Sequence, residues 1–257
     1  LEGKIQDGDT VTISEKAIST AIGNLVDEST INPGPNARCL AKYWMRLVWG
    51  YVLGPLSRLR KITIQHIRSY PLNEGSAHKQ LALEQASLLE ALMFGSEGGI
   101  DGSNLPYSLV SLPLRNAQEV AEKTRASIKA KLDKNVAVII VDTDKTYSFR
   151  TFHFTHRPNP IQGICSLGGF LSYVIGRFFK MRHRATPVAI AGAQIGVEEA
   201  LEIAEIANRR RGFGAGRTVW DMAARFGVDV TGVTWRMLDK LEHKPIVIVK
   251  PYQMKKR

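Results

Sequence analysis

The stretch that most constrains the fold is Asn135–Asp144, NVAVIIVDTD. Six consecutive apolar residues, mostly β-branched, are bounded on both sides by polar ones. A helix needs about ten residues or more, so this run predicts a short strand buried on both faces. Such a strand needs helices on either side of a sheet. The expected class is therefore α/β (mixed α+β): a mixed sheet with a buried central strand ending in Asp-Thr-Asp, flanked by helices. Its carboxyl end carries Asp142, Thr143 and Asp144, where open α/β sheets place ligands. Two carboxylates there suit a divalent cation and the phosphates it holds; the plainer reading is that they cap the following turn. A second acidic turn, Gly98-Gly99-Ile100-Asp101-Gly102-Ser103-Asn104, is the natural partner.

The chain of 257 residues is long enough for one large domain or two lobes. No apolar run approaches the roughly 18 residues of a membrane span. Cys39 and Cys165 are far apart, without the close spacing of metal ribbons or redox motifs, which makes a cytoplasmic protein the expectation. The first residue is Leu rather than Met, and a trimmed amino-terminal segment is expected. A net charge of +11 admits nucleic acid, an anionic small molecule or a generally basic surface. Part of it sits in Arg209-Arg210-Arg211 and part in Lys250, Lys255, Lys256 and Arg257. The rest is dispersed and not interleaved with aromatics, which favours the second and third readings over the first.

Along the chain, Asp7-Gly8-Asp9 turns into a strand at Thr10–Ile13, followed by Ser14-Glu15-Lys16, where Lys16 can approach phosphate oxygens. After the break at Asn32–Asn36, residues 37–59 are aromatic and basic at helical spacing, with Gly54-Pro55 expected to interrupt the helix. Ala77 to Met93 predicts an amphipathic helix capped by Ser76, with His78 in its first turn. A helix from Ala117 to about Leu132 precedes the buried strand. Alternation over Phe149–Thr155 predicts an edge strand with Arg150 near the carboxylates; the pair His153 and His156 is weak evidence for a metal. A strand is expected within 187–195 and a helix over 198–211, with Glu198, Glu202 and Glu205 on one stripe. The loop Gly212-Phe213-Gly214-Ala215-Gly216-Arg217-Thr218 resembles phosphate-cradling loops, though it is not a Walker motif. Helices over 218–226 and 231–241 and a strand over 245–249 close the chain.

These pieces resemble the coenzyme F-420 gamma-glutamyl ligase family, whose members use GTP to join glutamate to a deazaflavin cofactor precursor. The residues that carry the resemblance are Asp7-Gly8-Asp9 with Ser14-Glu15-Lys16-Ala17-Ile18-Ser19, then Gly99-Ile100-Asp101-Gly102-Ser103-Asn104, then Val138 to Thr143 with Arg150 downstream, and the glutamate-bearing helix that runs into the glycine loop. The resemblance implies that Asp101 and Asp142 hold divalent metals, that Thr143 is a further ligand, and that Asn104 contacts the nucleotide. Three departures stand out: Thr20 where the family has Lys, Phe213 where it has a metal-binding Glu, and the family's amino-terminal nucleotide loop, which lies before Leu1. They point to a divergent archaeal paralogue.

The resulting expectation is one ligase-like domain over 1–257 that makes an amide bond with GTP and Mg²⁺ or Mn²⁺. Metal ligands are Asp101, Asp142, Thr143 and Asp144. Nucleotide contacts are Lys16, Asn104, Arg150, Gly212, Gly214, Gly216, Arg217 and Thr218. His78 and Glu202 are the candidates for a base. Expected partners are a phosphorylated acceptor, an amino acid and a second copy of the chain, with residues 43–56 as the dimer seam. The alternative is a non-catalytic nucleotide- or RNA-binding paralogue that has lost part of the metal site.

Overall fold

The strands are β1 (Thr10–Ser14), β2 (Leu25–Asp27), β3 (Leu109–Ser111), β4 (Ala137–Phe149), β5 (Phe152–Thr155), β6 (Cys165–Ser166), β7 (Arg182–Ala191) and β8 (Ile246–Val249). The computed structural model describes residues 3–192 and 194–251, so Lys255, Lys256 and Arg257 lie outside it. Six strands form a mixed sheet around β4, and β2 pairs with β3 separately.

The apolar run lies at the centre of the sheet, as expected. Val138 and Ile140 face one side, against Ala121 and Ile128 of the helix Ala117–Leu132. Ile139 and Val141 face the other, against Ile203 and Ala204 of the helix Val197–Arg211. Side chains alternate across a strand, so one run fills both cores.

The strand does not stop at the acids, contrary to expectation. β4 continues to Phe149 because Thr146, Tyr147 and Ser148 find partners on both edges. Along one edge it pairs with β7 throughout. On the other edge, parallel β1 covers Ala137–Val141 and antiparallel β5 covers Thr146–Phe149. Asp142 to Lys145 therefore have no strand beside them on that edge. Against β7 the register jumps there: Asp142 pairs with Thr186 and Lys145 with Ala185, extruding Thr143 and Asp144 as a bulge. A gap in one edge and a bulge against the other open the sheet at the acidic residues.

A helical lobe packs beside this gap. Pro35–Cys39 leads into a 14-residue π-helix, Leu40–Leu53, and then Gly54–Leu56. Gly54-Pro55 does not interrupt the chain. In the wider ladder the Gly54 N–H reaches back five residues to the Trp49 carbonyl, and Pro55 sits at a helix start, where its missing N–H costs nothing. Met45 and Trp49 are buried with Ile67, Tyr70 and Met93. The indole N–H groups of Trp44 and Trp49 both donate to the Leu92 carbonyl at 2.7 Å.

The helix expected from Ala77 starts earlier, at Leu72 behind Pro71, and ends at Gln85; Ser76 is buried inside it rather than capping it. The late helix contracts to Trp235–Leu238. Among the described residues no helix is long and apolar enough to cross a membrane.

Candidate functional site

The gap in β4 opens into a cleft of about 1940 Å³. Three chain segments reach it for one topological reason. β1 ends where the gap begins, so Glu15 and Lys16 emerge on one flank. β5 ends where the gap closes, so His156 and Arg157 emerge on the other. The bulge supplies Asp142, Thr143 and Asp144 between them. The second acidic turn meets them across the cleft: Asp101 bridges to Ser111 at the end of β3, and its Oδ1 accepts the Ser103 N–H at 2.7 Å.

Arg157 joins the segments. Its guanidinium donates to both oxygens of Glu15 at 2.7 Å, to the Gly98 carbonyl at 2.6 Å, and lies 2.8 Å from Asp142 Oδ2. Gly99, at φ +94°, makes room for it, since a Cβ there would overlap the guanidinium. Lys16 forms an ion pair with Asp101 and also donates to the Ser103 carbonyl and hydroxyl. Asp144 is turned toward His156, Oδ2 to Nε2 3.6 Å. Burial and the Asp144 charge push the Asp142 carboxyl up to about 7, against the pull of Arg157. Burial also pushes Glu15 up, with Arg157 opposing. Asp142 Oδ2 and Asp144 Oδ2 are buried without a hydrogen-bond partner. Among the described residues no three His, Cys, Asp or Glu side chains are grouped as a ready ligand set.

The glycine loop lies in the same cleft, held by Asn104. Its amide accepts the Ala215 N–H at 2.6 Å and donates to the carbonyls of Phe213, 3.3 Å, and Gly216, 3.5 Å. Arg217 stacks over the Phe213 ring at 4.1 Å, and Thr218 caps the helix Val219–Phe226 through the Asp221 N–H. Gly214 has φ +56°, and a Cβ there would run into Asn104 Oδ1. Gly214→Ala is expected to lower stability by about 1–2 kcal/mol and to release residues 213–216, read as faster amide exchange confined to that loop.

The structure thus brings together Lys16, Asp101, Asn104, Asp142, Thr143, Asp144 and the loop of Gly212, Gly214, Gly216, Arg217 and Thr218. Arg150 is a correction. It is exposed, with φ +53°, in the tight turn between β4 and β5, its guanidinium 5.8 Å from the Phe149 ring centroid. Eight residues of extended chain separate it from Asp142, about 25 Å at the rise of a strand. Glu202 lies outside the cleft, bound by Arg182 and Arg184; its neighbour Glu205 lines the cleft instead, accepting from Lys145 at 3.3 Å and the Ala185 N–H at 3.0 Å.

His78 lines the cleft with both ring nitrogens engaged, Nδ1 to Glu28 at 2.5 Å and Nε2 to Glu97 at 2.7 Å. Burial works against the imidazolium, but the two carboxylates outweigh it and raise its pKa well above the usual value. A protonated ring held from both sides has no lone pair for a substrate proton. Glu97 is fully buried and also takes Lys79 Nζ at 2.5 Å, itself fully buried. Gly98 to Asp101 follow directly, so this network fixes the root of the acidic turn.

Glu15, Arg157 and Arg211 were not singled out as site residues from the sequence, and His156 was weighed only with His153, as weak evidence for a metal. One signal was available for two of them. Alternating aromatics on either side of Arg150-Thr151 describe a hairpin, and its register, Thr146 opposite Thr155, carried two places further puts Arg157 opposite Asp144.

The family model described as F420-0:Gamma-glutamyl ligase matches residues 2–172, which hold Lys16, both acidic turns and Arg157. An uncharacterized protein of Methanocaldococcus jannaschii is 36% identical over 256 residues, covering 96% of this chain and 86% of the relative. The glycine loop lies beyond the matched stretch. With two thirds of its length matched, and its acidic turns meeting in one cleft, the chain belongs to the F420-0:gamma-glutamyl ligase family.

Proposed function

We propose that this protein is an acid–amino-acid ligase that uses a nucleoside triphosphate, GTP in the first instance, together with Mg²⁺ or Mn²⁺. The observation that carries the reading is the convergence of Asp101 and Asp142, from turns 41 positions apart, on a cleft also lined by Lys16 and a glycine loop. Asp142 Oδ2 is buried and accepts no well-aligned hydrogen bond, its neighbour being the Arg157 guanidinium in an ion pair, and an all-oxygen donor set suits a hard cation. Mg²⁺ is commonly held by one or two carboxylates plus phosphates and water, so a full protein cage is not required. Asp101 and Asp142 would hold the ion, with Thr143 beside them; Asp144 is left to orient His156. A bound divalent cation would neutralise charge on the transferring phosphoryl group.

The chain's own residues do the rest. Lys16 leaves Asp101 for phosphate oxygens, Arg217 and the loop N–H groups face the phosphates, and Asn104 holds that loop in shape rather than touching the nucleotide. His78 acts as a positioning residue through Glu97. The terminal phosphoryl group passes to a carboxylate oxygen of the acid, releasing the nucleoside diphosphate; the amine of an amino acid then attacks the acyl carbon, inorganic phosphate leaves, and the amine proton is lost to water. A second copy of the chain would cover the exposed Tyr43, Leu47, Tyr51 and Val52 of the π-helix.

Calorimetry with GTP and ATP, each with and without Mn²⁺, tests the reading: nucleotide binding is expected to tighten at least tenfold with the ion. Phe213 in place of an acid and the engagement of Lys16 and Asn104 favour, as second reading, a non-catalytic binding protein. Metal-independent binding with a steep salt dependence toward RNA would select that one.

A further inference from the structure

Three of the four carboxylates that meet at the bulge already have a fixed cation beside them, and the fourth, Asp144, faces an imidazole. Glu15 is consumed by Arg157, which holds both its oxygens. Asp142 has the same guanidinium at 2.8 Å, Asp101 has Lys16, and Asp144 has His156. Arg211 adds a further guanidinium within electrostatic reach of both Asp142 and Asp101. It stands two residues before Phe213, where the resemblance calls for an acid, so the local charge there is reversed. Four carboxylates thus face three permanent cations, Lys16, Arg157 and Arg211. That leaves attraction for one divalent ion and strong repulsion of a second, which would have to share Asp142 with Arg157.

From this geometry we infer that the cleft takes a single divalent cation, and that the Arg157 guanidinium, built into the fold, stands where a second ion would have to sit. The inference rests on the metal-dependent reading above and refines it. Arg157 is suited to the task because all three of its nitrogens are committed to groups of the site and it is almost fully buried. Its charge cannot be titrated away. Lys16 differs: it is a partly exposed, flexible ammonium, so its hold on Asp101 can be exchanged for an ion.

The test is Mn²⁺ titration of the full chain, with free Mn²⁺ followed by its electron paramagnetic resonance signal and no nucleotide present. Wild type is expected to bind one ion per chain. Arg157→Gln is expected to bind two, and Lys16→Met to bind one about tenfold more tightly, because the competing ammonium is gone. Two ions on wild type, or only one on a folded Arg157→Gln chain, overturns the inference and leaves the ligase reading standing. If Arg157→Gln does not fold, the wild-type count and the direction of the Lys16→Met shift decide. No Mn²⁺ bound by wild type at any concentration overturns the inference, and if none binds after GTP is added the metal reading falls with it.

Discussion

Asp142→Asn is expected to lose Mn²⁺ affinity by about two to three orders of magnitude while making the ion-free protein more stable at neutral pH. The two effects have one origin. Burial and the nearby Asp144 raise this carboxyl from 3.8 to about 7 in the folded chain. A carboxyl whose folded pKa is raised stabilises the fold only when protonated. Its contribution is complete below about pH 4 and is lost as the pH climbs to about 7, at about 1.4 kcal/mol per unit. Asn keeps the shape and removes that loss. The cation reverses the preference, because it binds the ionised form and must displace the proton. Wild-type Mn²⁺ affinity should therefore fall about tenfold per pH unit below 7. Thermal melts of both proteins with and without Mn²⁺, across this range, check the claim. If the Asn variant is no more stable at pH 7–8 than wild type, the account of Asp142 as a destabilised, poised acid is wrong.

The second large effect lies at the root of the other acidic loop. Glu97→Gln should cost about 3–5 kcal/mol, since it strands the buried Lys79 and His78 without their shared counter-charge. For a chain this size that is a fall in Tm of about 10 °C. The pH dependence is distinctive. Burial alone would raise the Glu97 carboxyl, but His78 and Lys79 bring it from 4.5 to about 2. A lowered acid gives its stability above about 4.5 and loses it as the pH falls toward 2, an amount of roughly 3 kcal/mol. His78 has the opposite sense: its raised pKa stabilises fully below 6.5, and the contribution is lost as the pH rises through the folded value. The network is thus strongest between about pH 4.5 and 6.5. Urea midpoints of wild type should decline on both sides of that window, and in Glu97→Gln the acid-side decline should flatten. A variant that melts like wild type would show the buried charges to be dispensable.

Much of this was legible in the chain itself. A run of six apolar residues ending in acids reads as a strand filled on both faces, and the helix Ala117–Leu132 follows from a periodicity that acts within a few residues. Lys16, Asp101, Asp142 and the glycine loop share a cleft, as their chemistry suggested. Features that depend on distant partners were less accessible. The Glu15–Arg157 pair spans 142 positions and leaves no local pattern. Arg150 was placed by its distance along the sequence, whereas the hairpin carries it away and brings Arg157 back. Lys79 sits midway along the helix Leu72–Gln85, where a lysine is ordinarily solvated; the neighbouring Glu97 and the Met93 carbonyl make its burial tolerable. The π-helix escapes too, because over three turns an apolar stripe at five-residue hydrogen bonding resembles one at four.

The extrusion of Thr143 and Asp144 from β4 also sets how this region can change in length. Beyond the bulge, Thr146, Tyr147 and Ser148 must keep their sidedness, with Tyr147 in the interior. The same ladder already absorbs a single extra residue: Ile140 pairs with Ala189 and Val141 with Pro187, so Val188 is skipped and the pairing resumes. Between Asp142 and Lys145 residues can likewise be gained or lost as the bulge widens or tightens, with the far half of the strand unmoved. Relatives can therefore elaborate or trim this rim while Tyr147 stays inside, and differences in length among natural variants are expected to fall there rather than elsewhere in β4.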